Sequence, residues 1–188
     1  MASIAAFDFD GTLTRRDCMV PFLRRVAGSG ALVRAIAAES GAVARRDRDA
    51  LKAGVVRRLL AGRSLVDISE EGSRFATEIV ARRMRPDTVA ILRRHQQAGD
   101  RTVLVSASLR PYLDPVAAAL GIDHVICTEL ETRNGVLTGE LVDGNCRGAA
   151  KATRLQSWLG DHAVEVWAYG DSSGDNELLA LAAHGTRV

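Results

Sequence analysis

The segment Asp8-Phe9-Asp10-Gly11-Thr12-Leu13-Thr14 sets two carboxylates one residue apart, directly behind the apolar run Ile4 to Phe7. Such a run predicts a buried strand over 3–9. Both acids then stand at its carboxyl end, where open α/β sheets hold their ligands. Two carboxylates this close repel each other unless a positive charge lies between them, and a hard divalent cation such as Mg²⁺ suits oxygen ligands. A lone Asp is usually an N-cap or a turn former. Strand, Asp-x-Asp, glycine and threonine together point instead to metal-dependent chemistry at a strand tip.

Three further groups have the same placement. Ser106 closes the short apolar run 102–106. Its hydroxyl and the N–H groups after it can donate to a phosphoryl oxygen, or form a local turn or helix cap, with Ser108 as a competitor. Lys151 stands near the start of a helix read over 149–159. Lys52 and Lys151 are the only lysines in a chain that otherwise uses arginine, so a compact point charge is called for at Lys151, or else it faces solvent. Arg147 and Arg154 are competing cations. Finally, Gly170-Asp171-Ser172-Ser173-Gly174-Asp175 follows a strand read over 164–169 and supplies a second pair of acids, either as ligands or as a polar turn capped by Asp175.

These groups require elements that bring them to one edge. The block 16–85 reads as helical, with breaks at 28–30, near 46–48 and at 62–64, Ser64 as an N-cap, and Pro86 closing it. Alternation then follows: helix 88–97, strand 102–106, helix 112–120, strand 125–128, a hairpin of 130–133 with 136–141 turned by Asn134-Gly135, helix 149–159, strand 164–169, helix 176–183 and a last strand from 186. Strands alternating with helices predict an α/β fold with a parallel sheet covered on both faces. The long helical block between the first two strands reads as an inserted cap.

The 188 residues suffice for one domain with a small insertion. No apolar run reaches membrane-span length, and no secretory leader is visible. Cys18, Cys127 and Cys146 are odd in number and lack CxxC spacing, so reduced thiols in a cytoplasmic protein are expected. The four histidines show no ligand spacing, and Trp158 and Trp167 read as core. The net charge of +2 hides a division: residues 15–85 hold sixteen basic and eight acidic residues, the rest nine and fifteen. The basic block is either a solvated face or a lid that draws an anion to an acidic site. Only 4% of residues are aromatic and no recognition motif is present, so nucleic acid is not expected as a partner.

In order, the segment 7–14, the helical block, 104–106, Lys151 and 170–175 resemble the haloacid dehalogenase (HAD) superfamily of phosphohydrolases, and most of all its subfamily IB, which includes phosphoserine phosphatase. The resemblance implies a Rossmann-like parallel sheet with flanking helices formed by 1–14 plus 86–188, and a helical cap formed by 15–85. It implies a Mg²⁺-dependent phosphomonoester hydrolase that acts on a small phosphorylated metabolite through an aspartyl phosphate. Asp8 would be the nucleophile, and Asp10 the acid and then the base. Ser106 and Lys151 would hold phosphoryl oxygens. The metal would be bound by Asp8, the backbone carbonyl of Asp10 and Asp171, with Asp175 supporting it from behind.

Several positions depart from the family pattern. Asp17 stands where phosphoserine enzymes use a longer acid on the substrate amine; a helix-capping role competes. Their cap arginine aligns near Val56, which makes Arg57 the candidate, against a solvated reading for Arg57 and Arg58. Ala107 and Ser108 replace two glycines, and Gly174 replaces an asparagine. Phosphoserine is thereby weakened as the substrate. Three other functions remain open: a phosphotransferase or phosphomutase, a phosphatase of lipid phosphates drawn by the basic cap, and a non-catalytic phosphate-binding module. Related chains continue with another strand and helix, so a homodimer or further residues are expected to cover the last sheet edge.

Overall fold

The computed structural model describes residues 3–160 and 164–188. Its centre is β1 (Ile4–Phe7), four residues buried on both faces. Phe7 and Ala5 face one hydrophobic cluster, Ile4 and Ala6 the other, as the two-residue period of a strand dictates. β2 (Arg101–Leu109), β3 (His124–Arg133), β4 (Val136–Val142), β5 (Val166–Gly170) and β6 (His184–Arg187) complete a six-stranded sheet in the order β4-β3-β2-β1-β5-β6. Every neighbouring pair is parallel except β3 and β4. This is the expected doubly covered α/β sheet.

The predicted turn chemistry holds at the β3–β4 hairpin. Asn134 and Gly135 take φ of +52° and +77°, as the tight turn requires. The extents of the strands differ from expectation. The runs 125–128 and 130–133 are one strand, β3, whose first half pairs in parallel with β2 and whose second half pairs antiparallel with β4. β2 passes Ser106 and continues to Leu109, with an irregular register between Val105 and Leu109. β1 is shorter than the predicted 3–9, because the chain turns back through Phe9–Leu13.

Five helices follow that turn: α1 (Met19–Ala27), α2 (Ser29–Ala38), α3 (Ser40–Ala44), α4 (Arg48–Leu60) and α5 (Leu65–Arg82). The breaks fall near the predicted places, with one more at Glu39. Side chains of Asp47 and Ser64 accept from Ala50 and Asp67 N–H at the starts of α4 and α5. The chain leaves and re-enters the sheet region side by side. Thr14 bridges Met84, Arg15 N–H bonds Arg83 O at 2.9 Å, and Arg85 N–H bonds Leu13 O at 2.8 Å. Pro86 does not close the helical block. It opens α6 (Pro86–Ala98), where its missing N–H costs no helix bond.

α7 (Arg110–Leu120), α8 (Ala149–Leu159) and α9 (Asn176–Leu181) flank the remaining strands. α5 meets α7 through Gly72, which lies so near Pro111 that a Cβ would be 2.1 Å from its carbonyl oxygen. Pro115 removes the helix N–H that this carbonyl would otherwise receive, so backbone meets backbone there. Phe22, Phe75, Ile79 and Leu60 of the helical block share one buried cluster with Phe7 and Phe9. All three cysteines are free and buried. Among the described residues, no helix is long and apolar enough to cross a membrane.

Candidate active site

β1 ends at Phe7, and the site begins with the next residue. Asp8 remains extended, its N–H bonded to Tyr169 O at 2.9 Å. The chain then reverses because Gly11 takes φ +86°. A Cβ at Gly11 would also lie 2.2 Å from Oδ2 of Asp171, so one glycine permits both the turn and the approach of the second acid. Phe7 pairs with Leu104 on β2 and with Tyr169 on β5. That register carries Asp8, Ser106 and Asp171 to the same carboxyl edge.

Lys151 enters from the first turn of α8 and is buried rather than facing solvent. Its Nζ donates to Asp8 Oδ1 and to Asp175 Oδ1, each at 2.5 Å. Two of the three ammonium donors are so used among the described residues. Thr12 donates to Asp8 Oδ2 at 3.0 Å. Asp175 Oδ2 accepts from the N–H and the hydroxyl of Ser172, at 3.0 and 2.9 Å. Asp8, Asp171 and Asp175 each offer an oxygen within 4.8 Å of the others. This all-oxygen set at the carboxyl edge fits a hard divalent cation.

The side chain of Asp10 turns away from that cluster. Its Oδ1 accepts from Cys18 N–H at 2.8 Å, and its Oδ2 accepts from the Ser108 hydroxyl, which in turn accepts from Tyr112 at 2.6 Å. Burial, then the charge of Asp17, then that of Asp8 push the Asp10 carboxyl up to about 7, against the pull of Ser108 and Cys18 N–H. Burial also raises Asp8 to about 6, although Lys151 opposes it. Burial works to neutralise Lys151, but Asp8 and Asp175 outweigh it and hold the ammonium above its ordinary value. Burial likewise raises Asp175, but Lys151 and Ser172 outweigh it and leave the carboxyl low. Asp171 is raised by partial burial and by Asp175.

Ser106 is buried, and its hydroxyl accepts from Ser108 N–H at 3.0 Å, the local turn that competed with a phosphate role. Asp17 Oδ2 accepts from Val20 N–H at 2.9 Å and so caps the first turn of α1, while the residue also lines a cavity of about 330 Å³ beside Asp10. Arg57 is not brought to the site. It is 57% exposed in its side chain and grips Glu140 on β4 through Nε and Nη2, at 2.6 and 2.9 Å. The residue that reaches inward from α4 is Lys52, buried against Ala107 O, Thr128 Oγ1 (2.9 Å) and Asn145 Oδ1 (2.5 Å). The scarcity of lysine that singled out Lys151 applied equally to Lys52. Arg154 bonds the carbonyls of Cys127 and Asp143, both at 2.8 Å, and so ties α8 to loops, whereas Arg147 lines the cavity.

A mostly parallel sheet whose carboxyl edge gathers acids, hydroxyls and the buried ammonium of Lys151 fits a phosphatase of the α/β class. The chain belongs to the haloacid dehalogenase-like hydrolase family, whose model matches residues 5–180, and within it is phosphoserine phosphatase-like. It is 38% identical over 183 residues to protein CicA of Caulobacter vibrioides (strain NA1000 / CB15N), spanning 95% of this chain and 82% of that protein. It is 30% identical over 188 residues to phosphoserine phosphatase of Polaromonas sp. (strain JS666 / ATCC BAA-500), spanning 95% and 75%. Among solved structures, a protein of unknown function from Bordetella pertussis Tohama I superposes with a TM-score of 0.79 at 27% identity, over 96% of this chain and 87% of that one.

Proposed function

We propose that the chain is a Mg²⁺-dependent phosphomonoester hydrolase that acts on a small phosphorylated metabolite through an aspartyl phosphate on Asp8. Residues 1–14 and 86–188 form its catalytic core and residues 15–85 its cap. The observation that carries the reading is Lys151, buried between Asp8 and Asp175, with a third donor that has no partner among the described residues. A buried ammonium on two carboxylates fixes the nucleophile and adds positive charge where a phosphate dianion must approach.

Asp8, Asp171 and the Asp10 backbone carbonyl would hold the metal, with Asp175 bracing Lys151. When bound, Mg²⁺ supplies charge neutralisation at the phosphoryl oxygens and screens the nucleophile from the dianion. A carboxylate oxygen of Asp8 attacks phosphorus while Asp10, whose raised carboxyl keeps a protonated fraction near neutral pH, gives its proton to the departing alcohol oxygen as the ester P–O bond breaks. Asp10 then takes a proton from water as the water oxygen attacks the acyl phosphate. The Asp8–phosphorus bond breaks, and free phosphate leaves. Splitting one hard displacement into two easier ones is the gain from covalent capture. Ser106, with the N–H groups beyond it, and the third donor of Lys151 orient the phosphoryl oxygens.

The test is phosphate release from a generic aryl phosphate with Mg²⁺ and with chelator, followed by a panel of phosphorylated metabolites. Mg²⁺-dependent turnover that disappears in Asp8→Asn is expected. Absence of turnover on the aryl ester and on every metabolite would overturn the reading.

A further inference from the structure

The cavity next to Asp10 names the kind of alcohol this site releases. Its catalytic end is polar, formed by Asp10, Ser108 and Asp17. Beyond them one wall is hydrocarbon, Val20 and Leu23 of α1, Leu32 and Ile36 of α2, Leu51 and Val55 of α4, while Arg48, Lys52, Asn145 and Arg147 form a polar side. Leu23, Leu32 and Val55 are buried, while Val20 and Ile36 stand 49% and 37% exposed, so the apolar lining runs from the interior to open solvent. Resting on the hydrolase reading above, we propose that the leaving group is an apolar, chain-like alcohol and that the substrate is an amphiphilic phosphomonoester whose tail lies between α1, α2 and α4.

The chemistry of a phosphoamino acid does not match these walls. Its carboxylate and ammonium sit one carbon from the ester carbon and need partners just past Asp10. Three cations line the cavity, Arg48, Lys52 and Arg147; Lys52 is the buried one, and its three donors are taken by Ala107 O, Thr128 Oγ1 and Asn145 Oδ1. One oxygen of Asp17 is already held by Val20 N–H. Polar substituents pushed further would meet Leu32 and Val55 without a hydrogen-bond partner, which is costly. An alkyl chain meets no such obstacle. Arg48 also lines the cavity, and it lies in the segment that carries the chain's positive excess, which suits an anionic amphiphile.

The experiment compares n-alkyl phosphates from ethyl to octyl, below their self-association concentrations, with Mg²⁺, a generic aryl phosphate as reference, and phosphoserine and phosphocholine as polar competitors. kcat/KM is expected to rise about two- to fourfold per added methylene, the ratio that burying a CH₂ gives, with phosphoserine at or below ethyl phosphate. Ile36→Glu and Val20→Asp put charge on exposed parts of the lining and are expected to cut that slope by at least half. Calorimetric titration of Asp8→Asn with n-alkylphosphonates gives the same slope in Kd without turnover. Aryl phosphatase activity with a flat alkyl series, or a preference for phosphoserine or phosphocholine, overturns the inference and leaves the hydrolase reading standing. Failure of every ester together with a rising phosphonate slope overturns the hydrolase reading and keeps the ligand class. Failure of both overturns both.

Discussion

At the scale of single residues, Asp8 carries the sharpest expectation. Asp8→Asn keeps the shape of the side chain, and Lys151 retains Asp175 as a partner, so folding is preserved. Turnover falls to background, a loss on the order of 10⁴–10⁶-fold for an enzyme stripped of its nucleophile. Phosphate release and circular dichroism together check this; substantial activity in the variant removes Asp8 from the chemistry. Asp10 sets the pH profile. A cation on Asp8 would keep that carboxyl ionised, whereas Asp10 must be protonated to help the alcohol leave, so kcat/KM falls above about pH 7. Asp10→Asn is expected to lower the rate on the order of 10²–10⁴-fold and to erase the alkaline limb. Asp17→Asn removes a charge that holds Asp10 high and moves that limb to lower pH. An alkaline limb that stays in place in Asp17→Asn, with Asp10 intact, contradicts the assignment. The paired acids and Ser106 were legible because each stands at the carboxyl end of a short apolar run, where strand register sets position, and Lys151 because it is one of two lysines among many arginines and stands near the start of a helix. Lys52 and Arg57 were not. One helical turn decides whether a cap side chain points inward or at Glu140, and the helices around them have no such register.

At the scale of elements, local chemistry located the breaks and packing set the lengths. Asn134-Gly135, Ser64 and Asp47 announce a turn and two helix starts in their own side chains. The extension of β2 to Leu109 has no local signal, because Leu109 is held by Thr128 of a strand fifteen or more residues on. Pro86 alone does not distinguish a stop from a start, since proline both ends and begins helices, and here it fills the first position of α6. The α5–α7 contact is similarly invisible until Gly72 is seen against Pro111. Gly72→Ala gains up to about 1 kcal/mol of helix propensity, but its Cβ would fall 2.1 Å from a backbone oxygen that cannot swing aside. Overpacking of this kind typically costs about 1–3 kcal/mol, so net destabilisation in urea is expected, while the exposed neighbour Ser73→Ala changes stability by less than about 0.5 kcal/mol. An unchanged or improved midpoint for Gly72→Ala would show that α5 and α7 do not touch as described. Lys52→Met tests the other join, between α4 and the loops at Ala107 and Asn145. Leaving buried acceptors short of a donor costs about 1–3 kcal/mol.

At the scale of the molecule, the charge asymmetry resolves into two parts. Inside residues 15–85, Arg25 pairs with Glu71 and Glu78, Arg58 with Glu39, Arg74 with Glu70 and Glu71, and Arg83 with Glu78; those acids are already counted in the block's balance, and Arg57 reaches outside it to Glu140. Exposed pairs of this sort contribute roughly 0–1 kcal/mol each, and the positive excess of the block remains. The acidic excess is concentrated differently. Asp8 comes from the central strand, while Asp171 and Asp175 follow β5, so their mutual repulsion acts across the join of two strands. Lys151 neutralises part of it; Asp171 is raised first by its partial burial and then by the charge of Asp175. A cation that binds these oxygens in the folded chain, and finds them scattered in the unfolded one, must therefore stabilise the whole fold. At one hundred times Kd the gain is about 2.7 kcal/mol, enough to lift the midpoint of a chain this size by several degrees. Thermal unfolding with increasing Mg²⁺ should show a concentration-dependent rise, and Asp171→Asn should abolish the rise while leaving the metal-free midpoint equal or higher, since one repelling charge is gone. A midpoint indifferent to Mg²⁺ in the intact protein, or a rise that survives in Asp171→Asn, would place the metal elsewhere than between β1 and β5.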